Sequence, residues 1–362
     1  MPNGFLISTD PNSALEFSCV RNPMRTKIFL LTSLCCIVTT LHCAAWDYEG
    51  HRLVNELALS CLPTDFPTFA RTPENAERIA FLAGEADRWK NVGDLNHFNN
   101  PDHYFDMEEL ADYGLDMKGL THFRYDFVAE LGVARAMHPE KFPAINADYN
   151  KDHTRQLIGF LPWAIMENYD KLKSSFSYLK ALQNNHGTEQ EIVNAEKDAV
   201  YIMGVMGHYV GDCSQPLHTT KYYNGWTGAN PEGFTTEHIH GKVDGYFAHM
   251  DEPTFVKIRA ALHPANKPQL EPWGKEADGD LFNVIKGYIM DGNSKVKPLY
   301  QLEKEGKLFG EGEKGAAGNE FLTRQLVIGG QMLGDLWYEA WVTAQEDTYL
   351  SRSLQKRAKP PL

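Results

Sequence analysis

Apolar residues recur at helical spacing along most of the chain beyond residue 45. The first stripe, formed by Leu53, Val54 and Leu57, ends at Pro63. Further helices are predicted over residues 73–90, 121–137, 154–182 with a break or kink at Pro162, from 188 to a stop at Pro216, and over 253–262, 277–290 and 320–345. No alternating apolar series predicts a strand, and no internal repeat or phosphate-binding glycine loop occurs. The predicted fold class is therefore all-α, with a single mostly helical domain over residues 46–350.

The first 45 residues have the pattern of an export signal. Two basic residues precede an apolar run over residues 28–39, which is too short to cross a bilayer and leads into the small-residue sequence C-A-A at 43–45. Cleavage is predicted just before Trp46, with Met24 as the true start of translation. We expect a protein that is secreted or periplasmic, depending on the host.

The predicted leader and the last residues of the chain lead to two further expectations. Removal of the leader leaves Cys61 and Cys213, which could form one disulfide or be two buried thiols. The basic, proline-containing tail over residues 351–362 is predicted to be disordered.

The formal net charge of −13 argues against a protein that grips nucleic acid by an extended basic surface. It leaves open a protein that meets phosphate through bound cations, because each divalent metal ion adds two positive charges locally.

Histidine and aspartate residues with metal-ligand spacing concentrate in one stretch of about 40 residues. His208 and Asp212 stand four apart on a predicted helix, so both side chains leave the same face. His218 follows just after the proline that should stop this helix, and His240 and Asp244 repeat the four-residue spacing. These nitrogen and oxygen donors are of the kind that zinc prefers, and they predict a metal site.

Earlier parts of the chain offer more candidates of the same chemistry. His51 lies near the start of the first predicted helix. Asp87 lies near the end of the second, where an acid opposes the helix dipole and a role as metal ligand would explain its position. A turn-rich segment then supplies His103 and Asp106, whereas His97 is interpreted as an ordinary histidine.

Five motifs occur in order along the chain: W-x4-H, A-D-x-W-K, H-Y-F-D, H-x3-D-x5-H and H-x3-D. The set resembles the three-zinc superfamily of single-strand nucleases and bacterial zinc phospholipases C, and it covers residues 46–244. Its most specific part is G-H-Y-V-G-D-C-S-Q-P-L-H. The resemblance implies that Asp87, His103, His208 and Asp212 hold a first zinc, that His218, His240 and Asp244 hold a second, and that His51, Asp212 and the α-amine and carbonyl oxygen of Trp46 hold a third. His238 could compete with His240, but it lacks an acid four residues on.

The resemblance also implies a trinuclear zinc cleft that hydrolyses phosphodiesters and leaves 5′-phosphates. A zinc-bridging hydroxide would attack phosphorus, with Asp87 orienting or deprotonating the nucleophile and Lys90 neutralising the developing charge. Contacts to the substrate would come from Tyr104, Asp106 and Asn230. The third zinc could bind only after the leader is removed, because an amide nitrogen in a peptide bond is not a metal ligand.

The motif details leave three functions open. The tight W-x4-H spacing, the interval from His218 to His240 and the final Asp244 favour a single-strand-preferring nuclease of DNA or RNA. The nuclease pattern N-L-H-x-x-W-D has an Asn and a Trp that are missing around His240. This difference and the H-T-T-K-Y-Y-N-G-W run favour a phospholipase C or another phosphoesterase. The third function is that of an inactive secreted zinc-binding protein. The expected partners are single-stranded nucleic acid or phospholipid head groups, with no stable protein partner and a monomeric state.

Overall fold

The apolar stripes of the sequence form long helices that pack against one another. A computed structural model of the chain describes residues 46–247, 252–267, 280–310 and 312–357. In chain order, the α-helices α1 to α13 of these ranges are Tyr48–Cys61, Pro73–Leu82, Glu85–Lys90, Gly93–Asn99, Arg124–Met137, Leu161–Asn184, Glu189–Ser214, His240–Asp244, Glu252–Arg259, Asp280–Ser294, Val296–Lys304, Ala316–Thr343 and Thr348–Arg357. These ranges contain isolated β-bridges and no strand, so the all-α prediction is confirmed.

The centre of the fold is α7. It packs along α6, from which a short connection separates it, and it also contacts α1, α2 and α12, while α1 and α12 pack against each other. Every residue from 203 to 214 of α7 is buried, so this half of the helix meets other elements on all sides. His208 and Asp212 lie in that half. Their polar groups therefore need partners inside the protein.

The start of α7 agrees with the prediction, whereas one predicted helix is interrupted. A capping box is present at the start of α7, because Glu191 N donates to Thr188 Oγ1 and Thr188 N donates to the Glu191 carboxylate. The continuous helix predicted over residues 73–90 is wrong, since α2 ends at Leu82 and α3 begins at Glu85. The break turns the Ala83 carbonyl towards His208, whose ring nitrogen donates to it.

Two other predicted boundaries are also corrected. Helix α6 begins at Leu161, so Pro162 lies in its first turn and causes no kink. Helix α13 extends to Arg357 and buries Leu354, so the prediction of a disordered tail is wrong for residues 351–357. The rest of that tail and the predicted leader lie outside the described residues.

The described part of the chain belongs to one compact unit. None of its helices combines the length and the apolar content that crossing a bilayer requires. Cys61 and Cys213 are two buried thiols that are not joined, and burial raises the pKa of Cys61 to about 12. This decides between the two alternatives that the sequence left open.

Candidate metal centre

The centre begins with a close approach of α1 to α7 that glycine permits. A Cβ on Gly207 would collide with Asn55 Oδ1, and a Cβ on Gly211 would lie 3.1 Å from His51 Nδ1. Any larger residue at position 207 would therefore push the two helices apart. As a result of this contact, the His51 ring stacks on the His208 ring with centroids 3.8 Å apart.

The buried amide of Asn55 fixes the three helices around this contact. Its Nδ2 donates to Ile79 O of α2 at 2.7 Å and to Gly204 O of α7 at 3.0 Å. His51 is four residues before Asn55 on α1, and His208 is four residues after Gly204 on α7. The amide therefore holds together the helix turns that carry the two stacked histidines.

The first part of the centre joins side chains from four segments. His208 Nε2 lies 2.9 Å from His103 Nδ1, 3.4 Å from an Asp212 oxygen and 3.7 Å from an Asp87 oxygen. His103 Nδ1 lies 3.1 Å from the same Asp212 oxygen. On the other side, His51 Nε2 lies 3.4 Å from the second oxygen of Asp212. Asp212 is thus the residue shared by these contacts.

The second part of the centre is carried by a single helical turn over Pro216–Thr219 and by α8. His218 Nε2 and His240 Nε2 are 2.9 Å apart, and His240 Nε2 lies 3.3 Å from an Asp244 oxygen. The fully buried Gln215 connects the two segments. Its Nε2 donates to the other Asp244 oxygen at 2.8 Å, and its Oε1 accepts from Leu217 N at 2.7 Å.

Backbone carbonyls determine which nitrogen of two histidines faces the centre. His208 Nδ1 donates to Ala83 O, and His218 Nδ1 donates to His103 O, each at 2.7 Å. In a neutral ring, this leaves Nε2 as a lone-pair donor pointing at the cluster. Burial lowers the pKa of His208 to about 4 and that of His218 to about 3, so both rings are neutral near pH 7.

The buried carboxylates lack compensation within the protein. Burial, with the nearby charge of Asp87, raises the pKa of both Asp212 and Asp244 well above the usual range. For Asp87 itself burial works in the same direction, but His208 and Lys90 outweigh it and lower the pKa. Among the described residues, atoms of the centre that are buried without a hydrogen bond are both ring nitrogens of His51, His103 Nε2, His240 Nδ1, and one oxygen each of Asp87, Asp212 and Asp244, of which only the Asp87 oxygen has a cation, Lys90, beside it. Such a set is costly unless a cation satisfies it.

Metal ions fit this arrangement. Three groups of candidate ligand atoms each lie within 4.8 Å of one another: those of His51, His208 and Asp212, those of Asp87, His103 and His208, and those of His218, His240 and Asp244. Ligand atoms around a tetrahedral zinc are about 3.3 Å apart, given zinc–nitrogen bonds of about 2.0–2.1 Å. The three groups could therefore hold metal ions, and they include every side chain to which the resemblance assigns a zinc ion.

Trp46 lies beside this centre. Its side chain is fully buried, and the indole Nε1 donates to Gly211 O at 3.0 Å and to Ser214 Oγ at 3.2 Å. The following residue, Asp47, donates its backbone N–H to Asp244 O. The first described residue is thus fixed between α7, which carries Asp212, and the end of α8.

A cleft of about 300 Å³ opens onto the centre at His103, His218 and His240. Of the predicted substrate and catalytic residues, Lys90, Tyr104 and Asp106 line it. Residues of the cleft that the sequence did not single out are Asn100, Asp152, Thr154, Arg155, Leu157, Leu217 and Tyr223. Leu217 and Tyr223 fall inside quoted sequence motifs without having been singled out, and the other five belong to no motif.

The remaining candidates have specific positions. Lys90 Nζ lies 2.6 Å from an Asp87 oxygen, so the two predicted catalytic residues form an ion pair. Asn230 is not brought into the cleft, because its amide donates to Phe234 O and accepts from Phe234 N within its own loop. His238 is exposed and belongs to none of the three groups, which supports the choice of His240.

No protein-family model, no curated protein and no solved structure matches the chain. The function must therefore be inferred from the side chains of the centre and the cleft.

Proposed function

We propose that the protein is a secreted zinc-dependent phosphodiesterase, a single-strand-preferring endonuclease of DNA or RNA that leaves 5′-phosphates. The observation that carries this proposal is the position of the cleft. Three buried His/Asp groups lie at one end of it, and a lysine and a half-buried tyrosine line its walls. The protein has a net negative charge, but metal ions at this end of the cleft would attract a phosphate and hold it beside these side chains.

Zinc is the metal that the donor set suits best. Neutral imidazoles and carboxylates are its ordinary ligands, and the described cysteines lie outside all three groups. Zinc ions held there would polarise a phosphoryl oxygen and lower the pKa of a bound water. The carbonyl partners of His208 and His218 would fix these ligands in the orientation that binding needs.

The chain's own residues would position the substrate and move the proton. Asp87 would accept a proton from the attacking water, and its ion pair with Lys90 would bring that positive charge close to the phosphate oxygens. Tyr104 offers a ring on which an unstacked base could lie, a contact worth about 1–3 kcal/mol. Asp106 could accept hydrogen bonds from the edge of that base.

Maturation would complete the centre under this proposal. Cleavage before Trp46 would create an α-amine at a residue whose indole is already fixed to α7. A form with extra residues before Trp46 should then bind about two zinc ions and be nearly inactive, whereas the cleaved form should bind three. Full activity of the extended form would refute a role for the amine.

One observation favours a second candidate, a phospholipase C. Helix α4 exposes Leu95 and Phe98, and Val92, just before the helix, is exposed as well. The same helix contacts the cleft through hydrogen bonds from Asn96 and His97 to Asp152. An exposed apolar strip beside a cleft is typical of proteins that dock on lipid.

A two-substrate assay tests both candidates. Protein beginning at Trp46 and loaded with zinc should release nucleotides from single-stranded DNA or RNA, and EDTA should abolish the release. Hydrolysis of phosphatidylcholine with DNA left intact would select the phospholipase. A protein that binds zinc and cleaves neither substrate would be the inactive zinc-binding protein.

A further inference from the structure

One wall of the cleft is a turn over residues 150–156 that is held together by its own hydrogen bonds. Arg155 N donates to Asn150 Oδ1 at 3.0 Å, and Asn150 Nδ2 donates to Gln156 Oε1 at 3.0 Å. Gln156 Nε2 in turn donates to His153 O at 2.7 Å. The turn therefore has a fixed shape, because both ends and the middle are tied to one another.

The turn is also fixed to the rest of the cleft. Asn96 Nδ2 of α4 donates to the Asp152 carboxylate at 2.6 Å, and His97 Nδ1 donates to the Asp152 carbonyl at 2.7 Å. His153 has a φ of 58°, in the left-handed region that residues other than glycine rarely adopt. Such backbone persists where the surroundings impose it, and it is concentrated at functional sites. Thr154, which follows, is buried in the cleft wall.

The constrained turn presents Arg155 to the cleft. Its side chain lines the cleft together with Tyr104. Burial raises the pKa of the Tyr104 phenol above its usual range, and the positive charge of Arg155 opposes that rise, as expected for neighbours. Lys90 also lines the cleft and pairs with Asp87 at 2.6 Å. The cleft thus has two cationic side chains, Lys90 beside the metal centre and Arg155 on the constrained turn.

We propose that Arg155 binds a second phosphate of the substrate, the one next to the linkage that is cleaved in a polynucleotide. This inference rests on the proposed function and specifies its substrate as a chain of phosphodiesters rather than a single one. A guanidinium matches a phosphate with two parallel hydrogen bonds, which a lysine could not provide. A substrate with one phosphodiester gains nothing from this residue.

The experiment pairs a change in the protein with a change in the substrate. Three trinucleotides are compared: one with two natural linkages, and two isomers in which either linkage is an uncharged methylphosphonate. Each isomer has a single cleavable bond, with the missing charge on its 5′ or its 3′ side. The variants are Arg155→Gln and, as a control of equal charge change, Arg352→Gln, an exposed residue that bonds within α13.

For the natural trinucleotide, we expect Arg155→Gln to lower kcat/KM about 10- to 100-fold, the loss of one charge-assisted interaction. One of the two isomers should lower wild-type kcat/KM by a similar factor and show no further loss in the variant, because both changes remove the same contact. Arg352→Gln should leave every value unchanged. If the losses in kcat/KM from Arg155→Gln and from the methylphosphonate multiply, the two changes are independent and the inference is overturned. An equal loss for Arg155→Gln on a dinucleoside monophosphate, which has one phosphodiester, would overturn it too.

Binding separates this inference from the proposed function. A wild-type protein that cleaves no oligonucleotide would refute the nuclease proposal. Anisotropy of a fluorescein-labelled trinucleotide would then decide on Arg155. Equal affinities of wild type and Arg155→Gln overturn the inference. Weaker binding by the variant supports it, provided that the slope of log affinity against log salt concentration falls by the amount of about one phosphate contact.

Discussion

Two of the three ligand groups of the metal centre are built on different kinds of structure. One, the helix-borne half, consists of His51, His208 and Asp212 on α1 and α7, two long helices in the core. The other, the turn-borne half, consists of His218, His240 and Asp244 on a single helical turn and on the five-residue α8.

Packing positions the helix-borne half, whereas local hydrogen bonds position the turn-borne half. Stacked histidines and a glycine contact between buried helices give the first its geometry. The second depends on Gln215 and on the His103 carbonyl. We therefore expect the helix-borne half to keep its shape without metal, and the turn-borne half to gain order when an ion binds.

The largest effect is expected for Asp212→Ala, which removes the carboxylate that most contacts share. The variant should lose the metal of the helix-borne half and at least about 10³-fold in phosphodiesterase activity, about 4 kcal/mol of transition-state stabilisation. Metal analysis and initial rates measure both. Asp335→Ala is the control. Asp335 is also a buried carboxylate, but it accepts a hydrogen bond from Asn266 N and belongs to none of the three ligand groups. A full metal complement in Asp212→Ala would refute the shared role.

The second prediction separates the two halves. His240→Ala should lower activity about 10²-fold, or about 2.7 kcal/mol, and should remove one ion. The unfolding free energy of the metal-free protein should hardly change, because the residue is held by a short turn rather than by core packing. His238→Ala, two residues earlier and exposed, should keep both metal and activity. If the metal-free His240→Ala protein were strongly destabilised, the turn-borne half would belong to the core after all.

The candidate ligands could be predicted from sequence because local rules placed them. His208 and Asp212 share a helical face, and a proline ends that helix before His218. Their spacing alone fixes their relative positions to within a turn. The contact of His51 with His208 joins distant parts of the chain, and only the resemblance between motifs suggested it.

The features that the sequence did not predict arise from tertiary contacts. The break between α2 and α3 lies at Ala83-Gly84, and nothing in this dipeptide predicts that the helix ends here. The break allows the Ala83 carbonyl to accept a hydrogen bond from His208. The turn that presents Arg155 is defined by amide side chains whose partners only the folded chain reveals. The resemblance implies a substrate contact for Asn230, but both polar groups of its amide bond to Phe234 within its own loop.

The third prediction tests whether packing fixes the helix-borne half. Gly207→Ala should lower the unfolding free energy by about 3 kcal/mol, the upper end of the usual range for overpacking, because the new methyl group meets the Asn55 amide. Gly132→Ala on α5 is the matched control. No neighbour lies within 4 Å of the Cβ that it adds, so it should stabilise by about 0.5–1 kcal/mol. Denaturant melts of metal-free protein give both values, and equal effects would contradict the close-approach explanation.

The smallest effect is expected for Gln215→Leu, which removes one hydrogen bond from the turn-borne half. Asp244 would lose its donor but keep its other oxygen beside His240. Metal affinity should fall about tenfold, the lower end of what removing a hydrogen-bond partner of a ligand costs. Competition with a zinc-chelating dye measures the change at fixed pH.

Gln325→Leu makes the matched comparison, because that buried amide donates to Ser214 O at 2.8 Å and contacts no ligand. It should cost stability and leave the affinity of the turn-borne half unchanged. Equal affinity losses in the two variants would mean that the turn depends on general packing. A loss confined to Gln215→Leu would mean that one amide sets the position of Asp244, because no long helix does so.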